Sequence, residues 1–191
     1  RRTMQRTAVS FGLGLQMTNI CKDVVVDRGR RWSYIPRSYI MQQGLSVEEF
    51  SSGGNEEKSM QVLNRLLHKT LGHLEDALEF TLAIPAKAQT LRLFCIWPLW
   101  MALETVAVLH NNPALLQSGD PVKISRQAVR RILRRTRLMC FSDLLLKWSF
   151  GEIRKRTRLA HPPGFELDEL KERLDRLGLN PSPVGADGVK S

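Results

Sequence analysis

Apolar residues return every third or fourth position along most of this chain, the period of α-helices that each bury one stripe. Between residues 3 and about 27 the stripe is Val9, Leu13, Met17, Ile20 and Val24, which predicts a single helix. Gly29 and Pro36 bracket a basic loop that stops it. A short helix is expected over 37–43, ending at Gly44, and then a helical turn N-capped by Ser46 with Glu48 and Glu49 behind it. Residues 51–55 (Ser-Ser-Gly-Gly-Asn) read as a loop. A long helix follows from Glu56 to about Thr81, carried by Met60, Leu63, Leu67, Leu71, Leu74, Leu78 and Leu82. Pro85 separates it from a helix over about 87–110. Turns are expected at 111–113 and 118–121. Ser125 opens a basic amphipathic helix to about Trp148, which a polar segment to Arg158 extends. Residues 166–177 read as a short charged helix and 180–191 as a Pro/Gly/Ser-rich disordered tail. Strand signals are scarce. The expectation is an all-α helical bundle over 1–160, followed by a charged helix and tail over 161–191.

Composition sharpens this picture only in places. Hydrophobic content of 42% over 191 residues supports a packed core. The formal charge of +10 asks for an anionic partner, whether nucleic acid, a membrane surface or a diphosphate. Cys21, Cys95 and Cys140 lie far apart, so neither a disulfide scaffold nor a zinc cluster is indicated, and a reduced cytoplasmic chain is the expectation. The most apolar stretch, 91–109, is interrupted by Pro98 and Glu104, so no membrane-spanning helix is expected. The chain opens with Arg1-Arg2 inside a helical pattern, which predicts a portion of something longer.

The chemistry concentrates in residues 16–27. Gln16, Asn19, Asp23 and Asp27 fall on one helical stripe. Two carboxylates one turn apart repel unless a cation joins them, and their hard oxygens suit Mg²⁺, which keeps waters and borrows phosphate oxygens. Arg28, Arg30 and Arg31 follow at once, and arginine pairs bidentately with phosphate. An Asp-x3-Asp pair alone is most often a solvated face. Gln16 and Asn19 on the same stripe, among apolar neighbours, weigh toward a site.

The run from Phe11 to Asp23 (FGLGLQMTNICKD), then Asp27, the arginine-rich loop and Tyr34-Ile35-Pro36, resembles the second aspartate-rich motif of the squalene and phytoene synthase family. Phe94-Cys95-Ile96-Trp97-Pro98-Leu99-Trp100-Met101-Ala102 resembles the family's FC-x-x-P-x-x-MA helix, and Pro121 to Arg126 its VKI segment. The last two blocks favour the squalene synthase branch. The resemblance implies an isoprenoid synthase-type helical fold and head-to-head joining of two farnesyl diphosphates, with C20 condensation as the alternative. It implies Mg²⁺ on Asp23 and Asp27, with Gln16 and Asn19 beside them. The substrate diphosphate would meet Lys22, Arg28, Arg30 and Arg31. NADPH would meet Lys22, Lys123 and Arg126, and Phe94, Cys95 and Pro98 would wall the pocket for the intermediate. Trp32 stands where the family's loop carries an arginine. The family's first aspartate-rich motif is missing from these residues, so the chain alone is expected not to turn over.

Other features read more plainly. Arg126, Arg130, Arg131, Arg134, Arg135 and Arg137 make a basic face, solvated or in peripheral contact with a membrane. No motif supports nucleic-acid bases as its partner. His68 and His73 read as surface residues, Ser10 as lacking a His or Asp partner, and Trp97 and Trp100 as core. A non-catalytic basic module binding acidic membranes or nucleic acid is the competing hypothesis.

Overall fold

The computed structural model describes residues 2–117 and 122–159. Among them it has α1 (Arg2–Lys22), α2 (Val24–Gly29), α3 (Arg37–Gln42), α4 (Val47–Ser52), α5 (Glu56–Leu82), α6 (Gln89–Leu109), a 3-10 turn (Pro113–Leu115), α7 (Arg126–Met139) and α8 (Asp143–Arg156). No strand occurs among the described residues, as the helical periodicity predicts. The turn at 118–121, the helix at 166–177 and the tail lie outside the described residues.

Helix starts follow side-chain chemistry. Ser46 and Glu49 form a reciprocal capping box on α4, and Asn55, Ser125 and Ser142 accept the N–H groups of Lys58, Ala128 and Leu145. Packing joins α1 antiparallel to α5, through Arg6 to Glu79 at one end and Gly14 against Leu74 further along. α6 also runs antiparallel to α5, with Asn64 donating to Asn111. α8 runs parallel to α6. Arg92 bonds Asp143, Trp100 donates to Ser149 at 3.1 Å, and Arg156 donates to Glu104 at 2.6 Å. Leu63, Leu67, Leu71, Leu74, Ile96, Leu99 and Leu103 are fully buried between these helices.

Four expectations change. The first helix does not run unbroken to Asp27, because Asp23 leaves regular geometry at φ −96°, ψ 11° and divides α1 from α2. The face that α1 buries is only in part its apolar stripe, of which Met17 and Ile20 pack against the core. It buries Thr7, Ser10, Gly14, Thr18 and Cys21, and leaves Val9 58% and Leu13 37% exposed. Small residues let the two backbones come close: a Cβ on Gly14 would stand 2.9 Å from Leu74 Cδ2 and 3.3 Å from the His73 carbonyl carbon. The basic helix does not run from 125 to 148 but ends at Met139, since Ser142 caps a second helix after a turn at Cys140. Finally, Pro98 does not interrupt α6. The carbonyl it leaves unbonded belongs to Phe94, which is itself exposed, so water can take that bond. α6 is therefore long and apolar enough to cross a bilayer by length and composition, and 56% of that stretch is buried inside this fold.

Candidate diphosphate site

The exposed face of α1 changes character along its length. Val9 and Leu13 stand on it at the N-terminal end. Gln16 and Asn19 follow one and two turns on, then Lys22 and Asp23. At 1.5 Å per residue, Val9 to Asp23 spans about 21 Å. The polar end is tied together: Lys22 Nζ donates to Asn19 Oδ1 at 3.3 Å and lies 3.4 Å from Asp23 Oδ2. Asp27 continues the register, because its N–H donates to the Asp23 carbonyl at 2.9 Å.

Beyond Asp27 the chain builds a basic recess. Asp27, Arg28, Trp32, Tyr34 and Phe50 border a small pocket. An adjoining cavity of about 510 Å³ is lined by Arg28, Arg31, Trp32, Arg37, Glu48 and Ser52, among others. Arg28 turns toward α4, its guanidinium carbon 5.9 Å from the Phe50 ring centre. Its Nε and Nη2 are buried without a hydrogen-bond partner among the described residues. Burial pulls this guanidinium below its usual pKa. Gly53 makes the approach feasible. It caps α4 at φ +80°, and a Cβ there would come within 3.1 Å of Arg28 Nη1. Arg31 holds φ +59°, a left-handed position where glycine is usual.

The structure thus brings Gln16, Asn19, Lys22 and Asp23 onto one face, with Asp27, Arg28 and Arg31 at the adjoining recess. Arg30 is exposed beside them. Arg37 joins the recess unannounced. Its only sequence signal is a cation directly after Tyr-Ile-Pro. Lys123 and Arg126 lie exposed at the start of α7 and make no ion pair with another described residue. In the third group, Cys95 is 5% exposed and Pro98 half-buried, whereas Phe94 is 73% exposed among the described residues. Burial also pushes the Cys95 thiol pKa up, and Cys21 to about 12, so neither is poised as a nucleophile.

Two plain readings of single residues are corrected. Ser10 has both partners that it was expected to lack. Its hydroxyl donates to Asp76 Oδ2 at 2.8 Å, and His73 Nδ1 lies 3.3 Å from Ser10 Oγ. His73 is buried rather than superficial. Antiparallel packing of α1 on α5 creates this cluster. With the Ser10 proton held by Asp76 and the residue 1% exposed, it acts as a clamp between helices and not as a nucleophile.

Residues 1–128 match the squalene/phytoene synthase family model. The chain belongs to the squalene/phytoene synthase family. It is 26% identical to a squalene synthase of Eremothecium gossypii over 181 residues, which covers 93% of this chain and 40% of that protein. A squalene synthase of Mus musculus is 29% identical over 173 residues, with 90% of this chain and 40% of that one covered. The chain therefore spans about 40% of the length of these curated relatives. Among solved structures, TcSQS with a bound ligand superposes at a TM-score of 0.61 and 19% identity, over 80% of this chain and 50% of that one, a likeness of fold.

Proposed function

We propose that this chain supplies the second aspartate-rich face of a site that joins two farnesyl diphosphates head to head, to presqualene diphosphate and then squalene. The observation that carries the reading is the graded face of α1, apolar at Val9 and Leu13 and polar from Gln16 to Asp23. It matches an amphiphile whose greasy tail lies along one half and whose diphosphate lies at the other.

Mg²⁺ fits the donors present. Asp23 and Asp27 offer two hard carboxylates one turn apart, and no cluster of three His, Cys, Asp or Glu closes a cage among the described residues. That leaves coordination positions for water and phosphate oxygens, the arrangement Mg²⁺ favours. When bound, the ion would stabilise charge on a departing diphosphate. Arg28, with two unpaired buried nitrogens, and the exposed Arg30 and Arg31 would share that charge, and Lys22 would orient Asn19 and Asp23 toward it. Lys123 and Arg126 are the residues that would hold NADPH phosphates for the reductive step, and Cys95 and Pro98 with Phe94 would wall the intermediate. C20 condensation is the alternative within the family.

The test is calorimetric titration of the chain with an unreactive thio analogue of farnesyl diphosphate, with and without Mg²⁺. The expected outcome is Mg²⁺-dependent binding, at least tenfold weaker in Asp23→Asn. Binding indifferent to Mg²⁺ and to Asp23 sinks the proposal. Product analysis with farnesyl diphosphate, Mg²⁺ and NADPH should show no squalene from these 191 residues alone.

A further inference from the structure

Five large apolar side chains stand in solvent around the turn between α7 and α8: Leu138, Phe141, Leu144, Leu145 and Trp148, from 42% exposed at Leu145 to 77% at Leu144. Nothing in the core needs them. Leu146, Phe150 and Ile153 on the opposite side of α8 make its buried contacts. A patch of this kind on a soluble surface marks a contact.

The charge around it names the partner. Residues 126–158 hold eleven Lys and Arg against two acids, +9 of the chain's +10. The remainder of the chain is close to neutral. Arg130, Arg131, Arg134, Arg135 and Arg137 form no ion pair with another described residue. The apolar and basic surfaces are continuous. Leu138 borders an open hollow with Arg131, Arg134 and Arg135, and Trp148 borders a groove of about 490 Å³ between α6, α7 and α8 with Arg131, Arg135 and Arg156.

We infer that the α7–α8 hairpin is an interfacial docking element for an acidic lipid bilayer. Leu138, Phe141, Leu144 and Leu145 enter the acyl boundary, Trp148 sits at headgroup level, and the arginines meet anionic headgroups. A nucleic acid would engage the arginines but leave the apolar tip in water, so the tip favours lipid. The inference stands apart from the diphosphate site, which lies on α1 and α2.

Vesicle co-sedimentation of the 191-residue chain tests it. Binding to phosphatidylcholine vesicles containing about three parts in ten phosphatidylglycerol should exceed binding to pure phosphatidylcholine about tenfold or more, and weaken with salt. Phe141→Ser with Leu144→Ser should cut acidic-vesicle binding about tenfold at unchanged circular dichroism, and Arg134→Gln with Arg135→Gln should do the same. Met41→Ser, an equally exposed apolar site on α3, should leave binding as it was. Three results overturn the inference: full acidic-vesicle binding by the Phe141/Leu144 variant; tighter binding to duplex DNA that this variant leaves intact; or a self-dimer in sedimentation that it dissolves.

Discussion

The N–H of Asp27 donates to the carbonyl of Asp23 at 2.9 Å, so the two carboxylates keep helical register across the point where α1 ends and α2 begins. If one cation spans them, removing either should abolish most of what the pair does. Asp23→Asn and Asp27→Asn should each weaken Mg²⁺-dependent binding of the farnesyl diphosphate analogue tenfold or more. The double variant should then lose little beyond the worse single one. Calorimetry on the three variants decides it. Two independent, multiplying losses would mean that the aspartates do not share an ion.

Arg31 should trade stability against binding. Its left-handed backbone at φ +59° costs a side-chain-bearing residue about 1 kcal/mol relative to glycine. Its N–H bonds the Arg28 carbonyl, and the Trp32 N–H reaches back to that of Asp27, so the turn geometry suits glycine without rebuilding. Arg31→Gly should raise unfolding free energy by about 0.5–1 kcal/mol and weaken diphosphate binding, because the recess loses a cation. Denaturation and calorimetry on one preparation read both. A loss of stability would contradict the strain argument.

What was legible in the sequence depends on how local the cause is. The helix α5 was readable because Leu63, Leu67, Leu71 and Leu74 are both its apolar stripe and its buried face. α1 was not, since its contact with α5 is made by Thr7, Ser10, Gly14, Thr18 and Cys21, residues that a hydrophobic count passes over. The same holds at the site. The one-turn spacing of Asp23 and Asp27 follows from their four-residue separation, although the single helix read through them breaks at Asp23. Arg28's burial depends on Phe50 and Gly53, more than twenty residues later, and on how α4 meets α2. The Ser10–His73–Asp76 cluster likewise exists only once two distant helices align.

His73 should make the fold acid-sensitive above the carboxylate range. Burial lowers its pKa below 6.5, nearby Lys69 lowers it further, and Asp76 partly opposes them. A lowered pKa means that the unfolded chain takes up a proton before the folded one. Stability is therefore unaffected well above pH 6.5 and falls as pH drops below it, by at most about 1.4 kcal/mol per pH unit until the folded imidazole also titrates. His110, lowered by burial and then by Arg158, adds in the same direction. Guanidinium titrations at pH 7, 6 and 5 should show the decline, and His73→Gln with His110→Gln should flatten it. An unchanged slope in that variant would assign the sensitivity elsewhere.

Gly12 and Gly14 sit two residues apart in α1 and should respond oppositely to alanine. Both changes gain helix propensity, about 1 kcal/mol in a helix interior. At Gly12 the new methyl meets nothing within 4 Å, so Gly12→Ala should stabilise the fold by about 0.5–1 kcal/mol. At Gly14 it would press within 2.9 Å of Leu74 Cδ2 and 3.3 Å of backbone at His73 and Leu74. The leucine tip can swing aside, but the α5 backbone yields only if the two helices part. Overpacking of this kind costs about 1–3 kcal/mol, so Gly14→Ala should lose stability on balance despite its better propensity. Separation of α1 from α5 should also loosen the Ser10–Asp76 bond one turn away. Faster amide exchange around residues 10–14 in Gly14→Ala, and not in Gly12→Ala, would locate the damage at the helix crossing. Equal stabilisation by both would mean that the two helix backbones do not approach as closely as the 3.3 Å contacts imply.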